Sequence, residues 1–316
     1  MIQFPSLLRS LITVTALLCA AVGAQQAAPH FTAISTSSPA STAPRPRILG
    51  ISGVRLYTTD LPAARRFFSI ATLSEEPCVS CEKSHVARFA LGTNQRLELE
   101  AAPTPVPASL LAEIIFSTND LSALKRYFKS NNVAFTERKD QNSQERVSVL
   151  DPEGHAVSFV KPSKDLQSIS PVPRIIHAGF IVRDRAAEDR FYKDVLGFHV
   201  YWHGGMKDSE TSWVDMQVPD GADWIEYMLN VSPQPDHHTL GVMNHIALGV
   251  PDINAAQKQL LKNGWKPGEV PKIGRDGKWQ LNLYDPDDTR IEFMEFTPVE
   301  KPCCSEYTGP HPGPSR

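Results

Sequence analysis

The sequence predicts an α+β fold of four βαβββ modules arranged as two paired domains. Three observations carry this. A strand–Asp–helix pattern recurs four times, each helix is followed by short strand-like runs, and two of the four units close on an Asp-Pro turn followed by a strand. The copies are "GVRLYTTDLPAARRFF" from Gly53, "EIIFSTNDLSALKRYF" from Glu113, "HAGFIVRDRAAEDRFY" from His177 and "HIALGVPDINAAQKQL" from His245. In each, Asp stands seven residues after the first quoted position (Asp60, Asp120, Asp184, Asp252). An Asp there suits a helix N-cap, and the Ala-containing amphipathic stretch behind it suits the helix. A single unit leaves one sheet face bare, so the units are expected to pair.

Along the chain, residues 1–24 read as a signal peptide. Arg9 precedes an apolar run from Leu11 to about Val22, and Val22-Gly23-Ala24 suits cleavage before Gln25. The run is short for a spanning helix, so export to the periplasm or medium is expected. Cys19 does not mark a lipoprotein, because Leu18 stands where such sites need a small residue. Residues 25–47, rich in Ala, Ser, Thr and Pro, read as a disordered linker. Residues 48–164 and 170–299 read as the two domains, and 300–316 as a flexible tail.

A net charge of −3 gives no reason to expect nucleic acid or an anionic membrane as a partner. A small-molecule substrate is expected instead, with no membrane contact after signal cleavage, and homo-oligomerisation stays open. Four cysteines remain after cleavage, Cys78, Cys81, Cys303 and Cys304. In an oxidising compartment they favour a disulfide over a zinc site, with the pairing open.

"HAGFIVRDRAAEDRFYKDVLGF" (177–198) and "HIALGVPD" (245–252) resemble the two glyoxalase-type motifs of the vicinal oxygen chelate superfamily, which includes glyoxalase I, extradiol dioxygenases and bleomycin-resistance proteins. The likeness runs from about residue 48 to 298. It implies metal ligands at the head of each first strand and within each last strand of the second domain: His177, Glu226, His245 and Glu292. One divalent transition metal (Zn, Ni, Mn, Co or Fe) would suit these N/O donors. Glu226 and Glu292 are the implied catalytic carboxylates, either able to act as proton shuttle.

The residues themselves support the same four. In "TRIEFMEF", Glu292 shares a face with Met294 and Phe296, and Glu226 shares one with Trp224 and Met228. A buried carboxylate costs several kcal/mol unless paired (about 2–7 even for a neutral polar group). His177 has Gly179 on its face, and His245 has Ala247 and Gly249, small neighbours that leave an open floor. Glu295 faces the other way and is expected to be solvated. In the first domain the matching positions are Gly53, Glu98, Glu113 and Ser158, with no imidazole, so that half is expected to be metal-free.

A glyoxalase-like lyase or isomerase acting on a substrate held through vicinal oxygens is therefore the first expectation. Export argues against a glutathione-dependent reaction. Two paired domains with metal only in the second resemble type I extradiol dioxygenases, so cleavage of a catechol stands second. The motif Tyr of those enzymes reads Asn282, Tyr284 comes two residues late, and no His occurs from 270 to 296. Asp288 replaces the usual turn glycine, a substitution Asp tolerates. A non-catalytic binding protein is the third expectation, with Trp202, Trp213, Trp224, Trp265 and Trp279 as cleft or core residues. His199 and His203 are open between cavity and surface, and His237 and His238 are assigned to solvent.

Overall fold

The computed structural model describes residues 44–71, 73–76, 85–139, 144–162 and 173–314. The expected signal peptide, most of the linker, and Cys78 and Cys81 lie outside the described residues.

Module one comprises β1 (Ile48–Thr58), α1 (Leu61–Ile70), β2 (Ser74–Glu75), β3 (Val86–Leu91) and β4 (Gln95–Ala101). Module two comprises β5 (Leu111–Thr118), α2 (Leu121–Ser130), β6 (Thr136–Lys139), β7 (Glu145–Leu150) and β8 (Ala156–Val160). Module three has β9 (Arg174–Ile181), α3 (Arg185–Asp189, continued by a π-helical turn to Val195), β10 (His199–Gly204), β11 (Trp213–Gln217) and β12 (Trp224–Met228). After α4 (His237–Met243), module four adds β13 (His245–Val250), α5 (Ile253–Lys262), β14 (Lys272–Ile273), β15 (Trp279–Tyr284) and β16 (Arg290–Glu295). The four N-caps fall where the repeat places them: Asp60, Asp120, Asp184 and Asp252 accept the N–H of Ala63, Ala123, Ala187 and Ala255 at 2.9–3.0 Å.

Each half is one eight-stranded sheet, and the two orders are the same: β2-β3-β4-β1-β5-β8-β7-β6 and β10-β11-β12-β9-β13-β16-β15-β14. The head strands of paired modules meet antiparallel at the centre (β1 with β5, β9 with β13), and the last strand of each module lies parallel beside its own head strand. Alternation then sorts the faces. On β16, Ile291 and Phe293 enter the main core with the helices, while Met294 and Phe296 join a smaller cluster with Ile176, Trp202 and Trp224. Glu295 departs from the solvated expectation: its Oε1 accepts the N–H of Ile253 at 2.9 Å and caps the start of α5. An orphan N–H at a helix start is a ready carboxylate partner.

The expected flexible tail is instead packed on the second sheet. Trp202 Nε1 donates to the Cys303 carbonyl (3.1 Å), Tyr307 donates to the Asp276 carbonyl (2.7 Å), and the Tyr307 ring packs at a tilt against Tyr201 with centroids 4.7 Å apart. Composition suggested looseness, but two aromatic anchors and five carbonyl and amide contacts outweigh it. Cys303 and Cys304 are joined to each other by a disulfide. At the other end of the domains, Arg45 pairs with Asp220 at 3.0 Å, so the last residues before β1 are also held. No helix among the described residues is long and apolar enough to cross a membrane.

Candidate metal centre

The four central strands of the second sheet, β12-β9-β13-β16, each contribute one expected ligand. Register explains how they meet. Glu226 pairs with Gly179, which pairs with His245; in the next row His177 pairs with Ala247, which pairs with Glu292. Every donor thus faces a residue with little or no side chain across the ladder and can lean over it. The floor is not open, as expected from the small residues, but filled: a Cβ on Gly179 would lie 2.1 Å from Cε1 of His245, and one on Gly249 would meet Phe296 and Ile176. Gly179 makes room for the His245 ring.

The Nε2 atoms of His177 and His245 stand 3.1 Å apart. Glu226 Oε2 is 3.2 Å from His245 Nε2 and 3.9 Å from His177 Nε2; Glu292 Oε2 is 3.7 and 3.9 Å from the same two atoms, His177 first. Ligands of a divalent transition ion sit about 2.0–2.2 Å from it, so any two lie within roughly 4.4 Å of each other. All five separations meet that limit. Burial holds both imidazoles well below their ordinary range, helped by Arg290 at both and by His245 at His177. It also pushes the Glu226 and Glu292 carboxyls up to about 7, opposed by Arg290. Imidazoles driven neutral do not form ion pairs with these acids. The set is instead one that a shared cation satisfies: neutral nitrogen donors and two acids that ionise as the cation arrives.

Around the centre lies a cavity of about 340 Å³ walled by Trp202, Trp213, Trp224, Met206 and Met294. Trp265 and Trp279 pack against the main core instead. Neither His199 nor His203 lines this cavity, and His237 and His238 are exposed. Both carboxylates line the cavity, and Glu226 is the more accessible, with 14% of its side chain exposed against 5% for Glu292.

Three groups were not singled out by sequence reasoning. Arg290 Nη2 lies 2.7 Å from His245 Nε2 and 4.0 Å from Glu226 Oε2. Asp215 stands opposite Glu226 in the ladder, nearly buried, with Oδ1 lacking a partner. Lys278 is fully buried with Nζ 4.4 Å from the Trp224 ring and 5.1 Å from Tyr307. The same two-residue alternation that places Glu292 places Arg290 beside it, and cross-strand register finds Asp215. Lys278 precedes β15 and carried no such signal.

The first sheet shows the same register with a guanidinium at its centre. Arg55 occupies the place of Gly179, between Glu98 and Glu113. Its guanidinium reaches Glu113 at 3.0 Å and Glu98 at 3.4 Å, with Arg88 at 3.2 Å from Glu98 and Arg146 at 2.8 Å from Glu113. Arg138 and the Ser158 hydroxyl also bond Glu113. Both acids are therefore paired.

Residues 174–293 match the family model of the Glyoxalase/Bleomycin resistance protein/Dioxygenase superfamily. The match spans the half that carries the vicinal-oxygen-chelate-like motifs. Both halves together have the paired-domain fold of known structures. Homoprotocatechuate 2,3-dioxygenase from Arthrobacter globiformis superposes with a TM-score of 0.59 at 20% identity, covering 82% of this chain and 83% of that one. An extradiol ring-cleaving dioxygenase from Brevibacterium fuscum gives 0.60 at 20% identity, covering 81% and 74%. The homoprotocatechuate 2,3-dioxygenase of B. fuscum in complex with 3,4-dihydroxyphenylacetate gives 0.57 at 20%, covering 81% and 83%. No curated protein sequence matches the chain.

Proposed function

We propose that the chain is a metal-dependent lyase or isomerase acting on a small substrate held through two neighbouring oxygens. One observation carries the reading: on four adjacent strands beside a cavity, the donor atoms of His177, Glu226 and His245 lie 3.1–3.9 Å apart, with Glu292 Oε2 at 3.7 and 3.9 Å from the two imidazole nitrogens. Two nitrogens and two carboxylates fit Zn, Ni, Mn, Co or Fe(II). Bound there, such an ion supplies Lewis-acid stabilisation of negative charge developing on the substrate oxygens.

The remaining work falls to the chain. Glu226, open to the cavity, takes a proton from the substrate carbon and returns it to the neighbouring one, a task suited to a carboxyl near neutrality. Glu292, deeper and less accessible, holds position. Arg290 keeps positive charge beside Glu226 and restrains the rise that burial imposes on both carboxyls. The three tryptophans and two methionines of the wall displace water from a planar or apolar portion of the substrate.

Cleavage of a catechol is the second reading, favoured by the shared two-domain layout with extradiol dioxygenases. Against it, Glu226 adds a fourth donor where oxygen chemistry needs free positions. Asn282 is tied to Glu269 at 3.1 Å, and among the described residues no imidazole other than the donors lines the cavity. Protein loaded with Zn, Ni, Mn or Co is expected to exchange solvent deuterium into α-hydroxycarbonyl compounds, and Glu226→Gln to lose exchange while keeping metal. Oxygen uptake by the Fe(II)-loaded chain with 3,4-dihydroxyphenylacetate, without any exchange, would overturn the first reading in favour of the second. Export follows as part of the proposal, supported by the N-terminal apolar run and by the Cys303–Cys304 disulfide.

A further inference from the structure

The two halves are tied by two equivalent junctions that differ in the side chains at a few matching positions. In one, the turn Asp285–Thr289 of module four grips the strand–helix corner of module one. Asp285 Oδ1 accepts the N–H groups of Asp287 and Thr289 (2.9 and 2.8 Å), and the Asp287 carboxylate accepts the Thr58 hydroxyl (2.6 Å) and the Thr59 N–H (3.0 Å). In the other, the turn Asp151–His155 of module two grips the corner of module three. Asp151 Oδ1 accepts the N–H groups of Glu153 and His155 (3.1 and 2.8 Å), and Glu153 Oε1 accepts those of Arg183 and Asp184 (2.6 and 2.5 Å). Position for position, His155 replaces Thr289. Glu188, four residues after its N-cap Asp184, replaces the fully buried Ala64, four after Asp60.

The junction with Ala64 demonstrates that the grip needs no acid at this position. Yet Glu188 is itself fully buried, its Oε1 accepts the Glu153 N–H at 3.0 Å, and its Oε2 is enclosed with no hydrogen-bond partner. Beside it lies the Asp151 carboxylate, whose Oδ2 meets His155 Nδ1 at 2.8 Å and receives the Tyr192 hydroxyl at 3.2 Å. Ionised carboxylates only accept, so two of them in contact require a positive bridge. The Phe180 ring, 4.5 Å from the imidazole, fixes its plane, and His155 remains about one-quarter exposed (23%), leaving an entry path.

We propose that Asp151, His155 and Glu188 form a second divalent-cation site, one that locks the two halves of the chain together and is independent of the centre at His177. The three offer ligand atoms within 4.8 Å of one another, a few tenths of an ångström from the roughly 4.4 Å that a pair of zinc or manganese ligands spans. One imidazole and two carboxylates select a borderline ion such as Zn2+ or Mn2+.

The full-length chain titrated with Zn2+ after chelator treatment is expected to take up one more equivalent than the variant His155→Thr/Glu188→Ala, which copies the other junction and so preserves its packing. In a His177→Ala/His245→Ala background, Zn2+ is expected still to raise the melting temperature, and Glu188→Gln, isosteric with the wild type, to abolish that rise. Equal zinc stoichiometry in wild type and His155→Thr/Glu188→Ala would overturn the proposal, leaving a proton as the bridge between the two acids. So would the absence of a zinc-dependent melting shift in the His177→Ala/His245→Ala background.

Discussion

Adding one methyl group at Gly179 should dismantle the metal centre without touching a ligand. The Cβ would sit 2.1 Å from Cε1 and 2.6 Å from Nδ1 of His245. Carbon atoms in contact settle at about 3.5 Å or beyond, so the imidazole must retreat by roughly 1.4 Å. Metal–ligand distances tolerate about ±0.2 Å, which puts the displaced nitrogen outside coordination. Gly179→Ala is therefore expected to weaken metal binding by more than the about 10–100-fold that follows the loss of a ligand's supporting contacts. Overpacking should cost the apo fold only about 1–3 kcal/mol, partly offset because alanine loses less chain entropy than glycine on folding. Competition against a chromogenic chelator measures the affinity, with circular dichroism confirming the sheet. Wild-type affinity in a folded Gly179→Ala chain would refute the reasoning that this glycine exists to admit the His245 ring.

Three other outcomes are expected. His177→Ala and His245→Ala should each lose the metal at this centre while retaining the fold, as read by elemental analysis and circular dichroism. At Glu113, burial raises the carboxyl, but Arg146, Arg55, the Ser158 hydroxyl and Arg138 together outweigh it and hold it below its ordinary value. A depressed pKa contributes stability that is present above about 4.5 and lost as pH falls through the folded-state value. Glu113→Gln should thus destabilise at pH 7 by about 3–5 kcal/mol and flatten the acid limb of a urea-unfolding series. Removal of residues 301–316 should uncover Trp202 and Lys278, seen as a red shift in tryptophan fluorescence and a lower melting temperature.

The modules and the approach of His177, Glu226, His245 and Glu292 to one another were legible because both depend on short-range rules. Capping places Asp60, Asp120, Asp184 and Asp252, and two-residue alternation turns Glu226 and Glu292 away from the helix side of the sheet. Asp288, with φ +62°, adopts the turn position that Gly154 holds at +91° in the other half, as the repeat implied. What escaped the sequence depends on contacts across many residues. Arg55 could have been noticed, since it stands two residues beyond Gly53 as Gly179 stands two beyond His177; the arginines that share its acids, Arg88, Arg138 and Arg146, come from other strands. The tail carries few apolar residues, and Tyr307 and Cys303, with polar contacts from Ser305, Thr308 and Pro310, hold it to a surface that the fold creates. Glu188 looks like an ordinary helix acid until the turn of a different module closes over it.

The account rests most directly on where a cation sits. Crystals grown with Zn2+ or Mn2+ and measured on both sides of that metal's absorption edge should give an anomalous peak about 2.0–2.2 Å from Nε2 of His177 and His245 and from carboxylate oxygens of Glu226 and Glu292. A fully loaded crystal with no peak between those four side chains, or with Arg290 filling the space between them, would contradict it.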